Sequence, residues 1–165
     1  MYFITNANLN DVEIIRQLAD KTWKHAYGPI LEKEQLDYML TEIYSAEKIS
    51  AQIRDNLQTY LLLIEDEQPV AFAAYSPRIE DPEIFKLHKL YCLPETQGKG
   101  YGKVLINEVA DRTQKAGKHT LDLNVNRHNK AKTFYEKMGF QVVYEEDIPI
   151  GEYFMNDYVM RKELV

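Results

Sequence analysis

The sequence predicts one α/β domain built on a mixed sheet. Three observations carry this: helix-spaced apolar positions in the first third, short β-rich runs from Thr59 onward, and a strand, glycine loop and helix between Phe85 and Ala116. A chain of 165 residues fits one hydrophobic core, since chains typically divide beyond roughly 200 residues. No internal repeat, low-complexity tract or long linker interrupts it.

Tyr2 to Thr5 reads as a short strand. Ile15, Leu18, Ala19, Thr22, Trp23 and Ala26 then recur down one face of a helix, which Asn10 or Asp11 would cap and Gly28-Pro29 would stop. Helices follow at Lys33 to Leu40 and at Ala46 to Asn56, the second with Ser45 as its N-cap. Tyr60 to Glu65 and Val70 to Ser76 form a hairpin about the acidic turn Asp66-Glu67-Gln68. A third run, Phe85 to Leu93, ends at Pro94; after a glycine-rich bend, a helix from Gly102 to Ala116 turns Leu105, Ile106, Val109 and Ala110 inward and closes at Gly117. Thr120 to Val125 is a strand, Lys130 to Met138 a short helix stopped by Gly139, and Gln141 to Glu146 and Phe154 to Lys162 are the last strands. Strand order does not follow from these patterns.

The chain is 45% hydrophobic and 28% charged, unlike the apolar-poor composition of disordered chains. Cys92 is the only cysteine, so no intramolecular disulfide forms. Without a long apolar run or an export-signal pattern at the N-terminus, the expectation is a cytoplasmic protein with no membrane association. The 20 basic and 26 acidic residues give a charge of -6. That balance opposes nucleic-acid binding and favours a cationic partner. The histidines and Cys92 show no metal-ligand spacing, so no metal is expected.

Gln97-Gly98-Lys99-Gly100-Tyr101-Gly102 sets glycines at alternate positions ahead of an apolar helix, where backbone N–H groups can approach an anion closely. The spacing is neither that of a P-loop nor that of a dinucleotide-binding turn. It resembles the pyrophosphate-binding signature of the GNAT superfamily of acetyl-CoA-dependent N-acetyltransferases: Gln or Arg, two open positions, Gly, one open position, then Gly or Ala. The resemblance implies a GNAT domain, a mostly antiparallel mixed sheet with helices on both faces, and acetyl-CoA as cosubstrate. It also implies that Leu90, Tyr91 and Cys92 offer main-chain contacts to pantetheine as an added strand would. Lys99 and Lys103 would add positive charge near the phosphates.

A second block, Asn129 with Ala131, Phe134-Tyr135-Glu136 and Gly139-Phe140, resembles the family's other motif. The resemblance places Asn129, Phe134, Tyr135 and Lys137 among the cofactor contacts. The reaction needs a neutral amine, a held thioester and a proton for the leaving thiolate. Phenol and thiol have reference pKa values of about 10 and 8.5, so a positioned tyrosine can protonate the departing sulfur. Tyr135 is the candidate, and the family assigns its matching tyrosine that role. A main-chain N–H near Leu90 would meet the developing oxyanion, and His88 is the candidate base for the amine. An acyl-cysteine route is disfavoured, because four strand residues separate His88 from Cys92, roughly 13 Å.

Trp23, Tyr27, Tyr75, Tyr153 and Asp157 are the candidate acceptor contacts. The segments around Trp23-Lys24-His25 and Gly151 to Met160 resemble small bacterial family members that include polyamine acetyltransferases. The acid runs Glu65-Asp66-Glu67 and Glu145-Glu146-Asp147 read as solvated turns. The expected activity is direct transfer from acetyl-CoA to a small primary amine such as a polyamine. A peptide or protein acceptor, or a non-catalytic acyl-CoA-binding module, is the alternative. A homodimer is compatible with the sequence.

Overall fold

The computed structural model describes all 165 residues. The chain runs β1 (Tyr2–Asn6), α1 (Val12–Tyr27), α2 (Lys33–Ile43), α3 (Ala46–Arg54), β2 (Thr59–Glu65), β3 (Gln68–Pro77), β4 (Ile84–Cys92), α4 (Tyr101–Lys115), β5 (Thr120–Asn126), α5 (Ala131–Lys137), β6 (Gln141–Ile150) and β7 (Tyr153–Glu163). The strands form one seven-stranded sheet in the order β1-β2-β3-β4-β5-β7-β6. Only β4 and β5 run parallel, and α4 is the crossover between them. No helix is long and apolar enough to cross a membrane.

α1 buries Ile15, Leu18, Ala19, Thr22 and Trp23, the stripe its spacing predicts. Its cap differs from expectation. A 3-10 turn at Leu9–Asp11 precedes the helix, and Asn8 caps that turn by accepting the Asn10 N–H at 2.8 Å. Asp11 returns the bond by accepting the Asn8 N–H at 2.9 Å. Asn8 therefore does what Asn10 or Asp11 was expected to do, because the extra turn moves the first unpaired donors upstream.

The β2–β3 hairpin turns at Asp66 and Glu67, both in the left-handed region with φ 47 and 70°, as a tight hairpin turn requires. Glu65 is not a solvated turn residue. It accepts hydrogen bonds from Lys99 and Tyr101. β6 extends four residues beyond the expected Glu146, because Gly151 at φ 61° closes a tight turn that pairs Ile150 with Tyr153. Glu145, Glu146 and Asp147 thus lie within a strand, opposite Tyr158, Asp157 and Asn156.

β4 contains a bulge. Ala74 pairs with Lys89 but Tyr75 pairs with Leu87, so His88 is the extra residue. On the Phe85 side of it, Phe85 stacks on Tyr75, whose hydroxyl lies 3.4 Å from Arg112 of α4. Beyond it, Lys89 and Tyr91 meet the α1 side of the sheet, where Tyr91 packs on Trp23.

The core includes a buried charge centre. Asp122, 0% exposed, accepts from Arg78 Nε at 2.9 Å and from Arg161 Nε at 2.7 Å. It ties the end of β3 and strand β7 to β5.

Candidate active site

The site begins where β4 and β5 part. Their parallel pairing runs from Ile84–Thr120 to Leu87–Leu123 and stops there. From His88 to Cys92, β4 pairs only with β3, so the β4 edge facing β5 carries free main-chain groups. A cleft of about 1250 Å³ opens between the strands and continues to the glycine loop.

That loop fits a pyrophosphate. Gly98 and Gly100 have φ of 85 and 78°, and a Cβ on either would meet nothing within 4 Å. Gly100 therefore starts α4 in a conformation costly for other residues. α4 has no side-chain N-cap and no acid in its first turn, so its leading N–H groups remain available to an anion. Gly102 has a packing role, since a Cβ there would lie 3.3 Å from the Phe134 ring. One cleft thus offers both a seat for an anion and a free strand edge.

The cleft brings together most of the residues singled out in the sequence: Tyr27, His88, Leu90, Tyr91, Cys92, Gln97, Gly98, Gly100, Tyr101, Gly102, Lys103, Asn129, Phe134 and Tyr135 line it. Six others stand elsewhere. Lys99 is held by Glu65 at 2.7 Å, and Lys137 is exposed on α5. Tyr75 lies against Phe85 on the α4 side. Trp23 packs behind Tyr27 and donates from Nε1 to the Tyr44 hydroxyl at 3.0 Å. Tyr153 packs on Tyr38 with ring centroids 5.5 Å apart, and Asp157 is buried behind Asn124.

Tyr135, 8% exposed, packs between Phe134 and Phe140. Burial raises the pKa of its hydroxyl, helped by Tyr27 and Cys92, so it keeps its proton through neutral pH. Asn129 Oδ1 accepts the Ala131 N–H at 2.9 Å, fixing the start of the helix that carries Tyr135. Across the cleft, the Tyr27 and Tyr91 hydroxyls lie 3.3 Å apart.

His88 Nε2 sits 2.7 Å from Ser76 Oγ. Burial, with Lys86, Lys89 and Arg78 nearby, lowers its pKa to about 3 and leaves the ring little affinity for a proton at neutral pH. Burial pushes the Cys92 thiol up to about 11, which leaves little of the nucleophilic thiolate. Lys89 and Asn124 are among the cleft residues that the sequence reading gave no role. Lys89 hydrogen-bonds the Tyr60 hydroxyl at 2.7 Å and Gln58 at 2.8 Å, and burial lowers its pKa to about 7. Asn124 contacts Asp157 and Glu146. Lys89 heads the strand that feeds the glycine loop but drew no role there, Asn124 lies outside both motifs, and the partners of each are distant in sequence.

Splayed parallel strands, a glycine loop at a helix N-terminus and a buried tyrosine on the next helix define an acyl-CoA-dependent N-acyltransferase site. The acetyltransferase (GNAT) domain model matches residues 29–157. The chain belongs to the GNAT family and is an acetyl-CoA-dependent N-acetyltransferase. It is 28% identical over 158 residues to an uncharacterized N-acetyltransferase of Mycobacterium tuberculosis, covering 95% of this chain and 100% of that one. It is 29% identical over 144 residues to the spermidine N(1)-acetyltransferase of Thermoplasma acidophilum, 84% of this chain and 88% of that one. The crystal structure of the PaiA N-acetyltransferase of Thermoplasma acidophilum in complex with coenzyme A superposes with a TM-score of 0.84 at 27% identity, covering 99% of both chains.

Proposed function

We propose that the chain transfers the acetyl group of acetyl-CoA to the primary amine of a small cation such as a polyamine, by direct attack in a ternary complex. The observation that carries this reading is a single cleft shared by the phosphate-binding loop, the free β4 edge and Tyr135. In this reading the main chain at Leu90 and Cys92 holds the pantetheine arm, and an N–H near Leu90 meets charge developing on the carbonyl oxygen. Tyr135, protonated at neutral pH, gives its proton to the departing sulfur. Cys92 carries no acyl group, in keeping with its raised thiol pKa.

A cationic acceptor suits the charge of -6 and the carboxylates Asp157 and Glu146 beside cleft-lining Asn124. The similarity to a spermidine N(1)-acetyltransferase along most of both chains supports a polyamine. The test is thiol release from acetyl-CoA with spermidine, simple alkylamines and peptides bearing free N-termini. Release with spermidine and not with peptides is the expected result. Release with peptides alone would replace the small amine by a polypeptide acceptor, and no release with any amine would overturn the reading.

A further inference from the structure

An alkylamine has a pKa of about 10 and arrives as an ammonium, which must lose a proton before its nitrogen can attack. His88 has little affinity for that proton. A better acceptor lies at the point where the strands part. Asn124 is the first β5 residue beyond the last β4–β5 pair, Leu87–Leu123, and it lines the cleft. Its Nδ2 donates to Glu146 Oε1 at 3.0 Å and to Asp157 Oδ2 at 3.2 Å. Because both neighbours are carboxylates, the amide nitrogen must face them and the amide oxygen must face away. That oxygen, Asn124 Oδ1, is buried with no donor, and so is Asp157 Oδ1. Asp157 itself is only 5% exposed.

Buried acceptors without donors are costly, and here two neighbouring side chains each carry one. An ammonium brings three donors and the charge that Asp157 and Glu146 call for. We infer that Asp157 and Asn124 seat the ammonium group of the acceptor, and that Asp157 Oδ1 takes the proton that frees its lone pair. The inference rests on the amine-transfer reading above. Burial raises the Asp157 carboxyl to about 6; Glu146 adds to the rise, while Asn124, Lys86 and Arg127 oppose it. Tyr27, from α1, is the cleft residue that feels its charge. The group is therefore ionised at neutral pH yet more basic than an ordinary aspartate.

The steps balance. One N–H bond of the ammonium breaks toward Asp157, the freed nitrogen bonds the acetyl carbon, and the carbon–sulfur bond breaks. Tyr135 protonates the sulfur and recovers a proton from the new amide nitrogen. Asp157 releases its proton to solvent, one per turnover.

Two measurements test this. The first compares kcat/KM against pH for wild type and Asp157→Asn, with the acetyl-CoA shift in melting temperature as a check that the fold and cofactor site persist. The variant is expected to lose about 100-fold or more at neutral pH and to lose the acidic limb near pH 6, with the shift retained. The second follows the Asp157 carboxyl by carbon-13 NMR in the wild type, with propylamine as probe, and expects the amine to lower its midpoint. If the wild type acetylates amines but the variant keeps its acidic limb, or propylamine leaves the midpoint unmoved, this inference falls while the functional reading stands. If no amine is acetylated but propylamine still lowers the midpoint, the reading falls and the ammonium seat stands. If neither happens, both fall.

Discussion

Lys99 Nζ lies 2.7 Å from Glu65 Oε2, and the Tyr101 hydroxyl bonds the same oxygen. The glycine loop and the first residue of α4 are thereby tied to the end of β2. Glu65 also places a negative charge beside the seat for the phosphates, and the Lys99 and Tyr101 bonds hold its pKa below the usual range. Glu65→Gln keeps the shape, removes the charge and frees the Lys99 ammonium. The KM for acetyl-CoA should fall about two- to five-fold at low salt, and the gain should shrink as salt screens it. Initial rates at two ionic strengths check this.

Tyr135→Phe removes the proposed proton donor and preserves the packing between Phe134 and Phe140. We expect kcat to fall about 100-fold with the KM for acetyl-CoA nearly unchanged. Because burial holds the hydroxyl pKa high, the wild-type rate should show no loss from Tyr135 ionisation up to about pH 9. A variant with full kcat would remove Tyr135 from the chemistry.

At Gly98 and Gly100 the obstacle to a side chain is conformation alone, since a Cβ meets open space while φ is 85 and 78°. Alanine at Gly100 should strain the start of α4 by about 1 kcal/mol. The loop then relaxes, so stabilisation by acetyl-CoA in a thermal melt should drop sharply while the unliganded melting temperature changes by a few degrees.

Burial lowers the Lys89 pKa from 10.5 to about 7. Between those values the unfolded chain holds a proton that the folded chain has shed, so stability rises with pH. Across pH 7 to 10 Lys89 should contribute a slope of about 1 kcal/mol per pH unit, which Lys89→Met removes. Urea unfolding at several pH values measures it.

Asp122→Leu leaves Arg78 and Arg161 side by side without the fully buried carboxylate that joins them. Removing one partner from such a buried ionic cluster costs about 3–5 kcal/mol. The variant should unfold at markedly lower denaturant, and a midpoint close to wild type would show that the cluster relaxes into solvent.

Helices and strands were legible because apolar spacing changes period between them, and the glycine loop because three glycines within five residues ahead of a helix have few other uses. Tyr135 and Asn129 were legible from a block whose residues lie close in sequence. What escaped depends on contacts between distant segments. Lys89 looks like any lysine on a strand until Gln58, Tyr60 and Tyr44 close over it. Asn124 gains meaning only when β6 and β7 bring Glu146 and Asp157 beside it. Tyr75 was grouped with the acceptor contacts, but it stacks on Phe85 and its hydroxyl lies beside Arg112.

The extra residue at His88 acts as a parity switch in β4. In a regular strand Phe85, Leu87, Lys89 and Tyr91 would share one face, since side chains alternate with period two. Here Phe85 lies on the α4 side, whereas Lys89 and Tyr91 lie on the α1 side. Flattening the bulge with every residue kept would carry an amine and a phenol into the aliphatic layer under α4, and Leu90 and Cys92 would change sides with them. Loss of His88 alone would instead let Leu87 and Lys89 pair in regular alternation with Tyr75 and Ala74, and each side chain would keep its face.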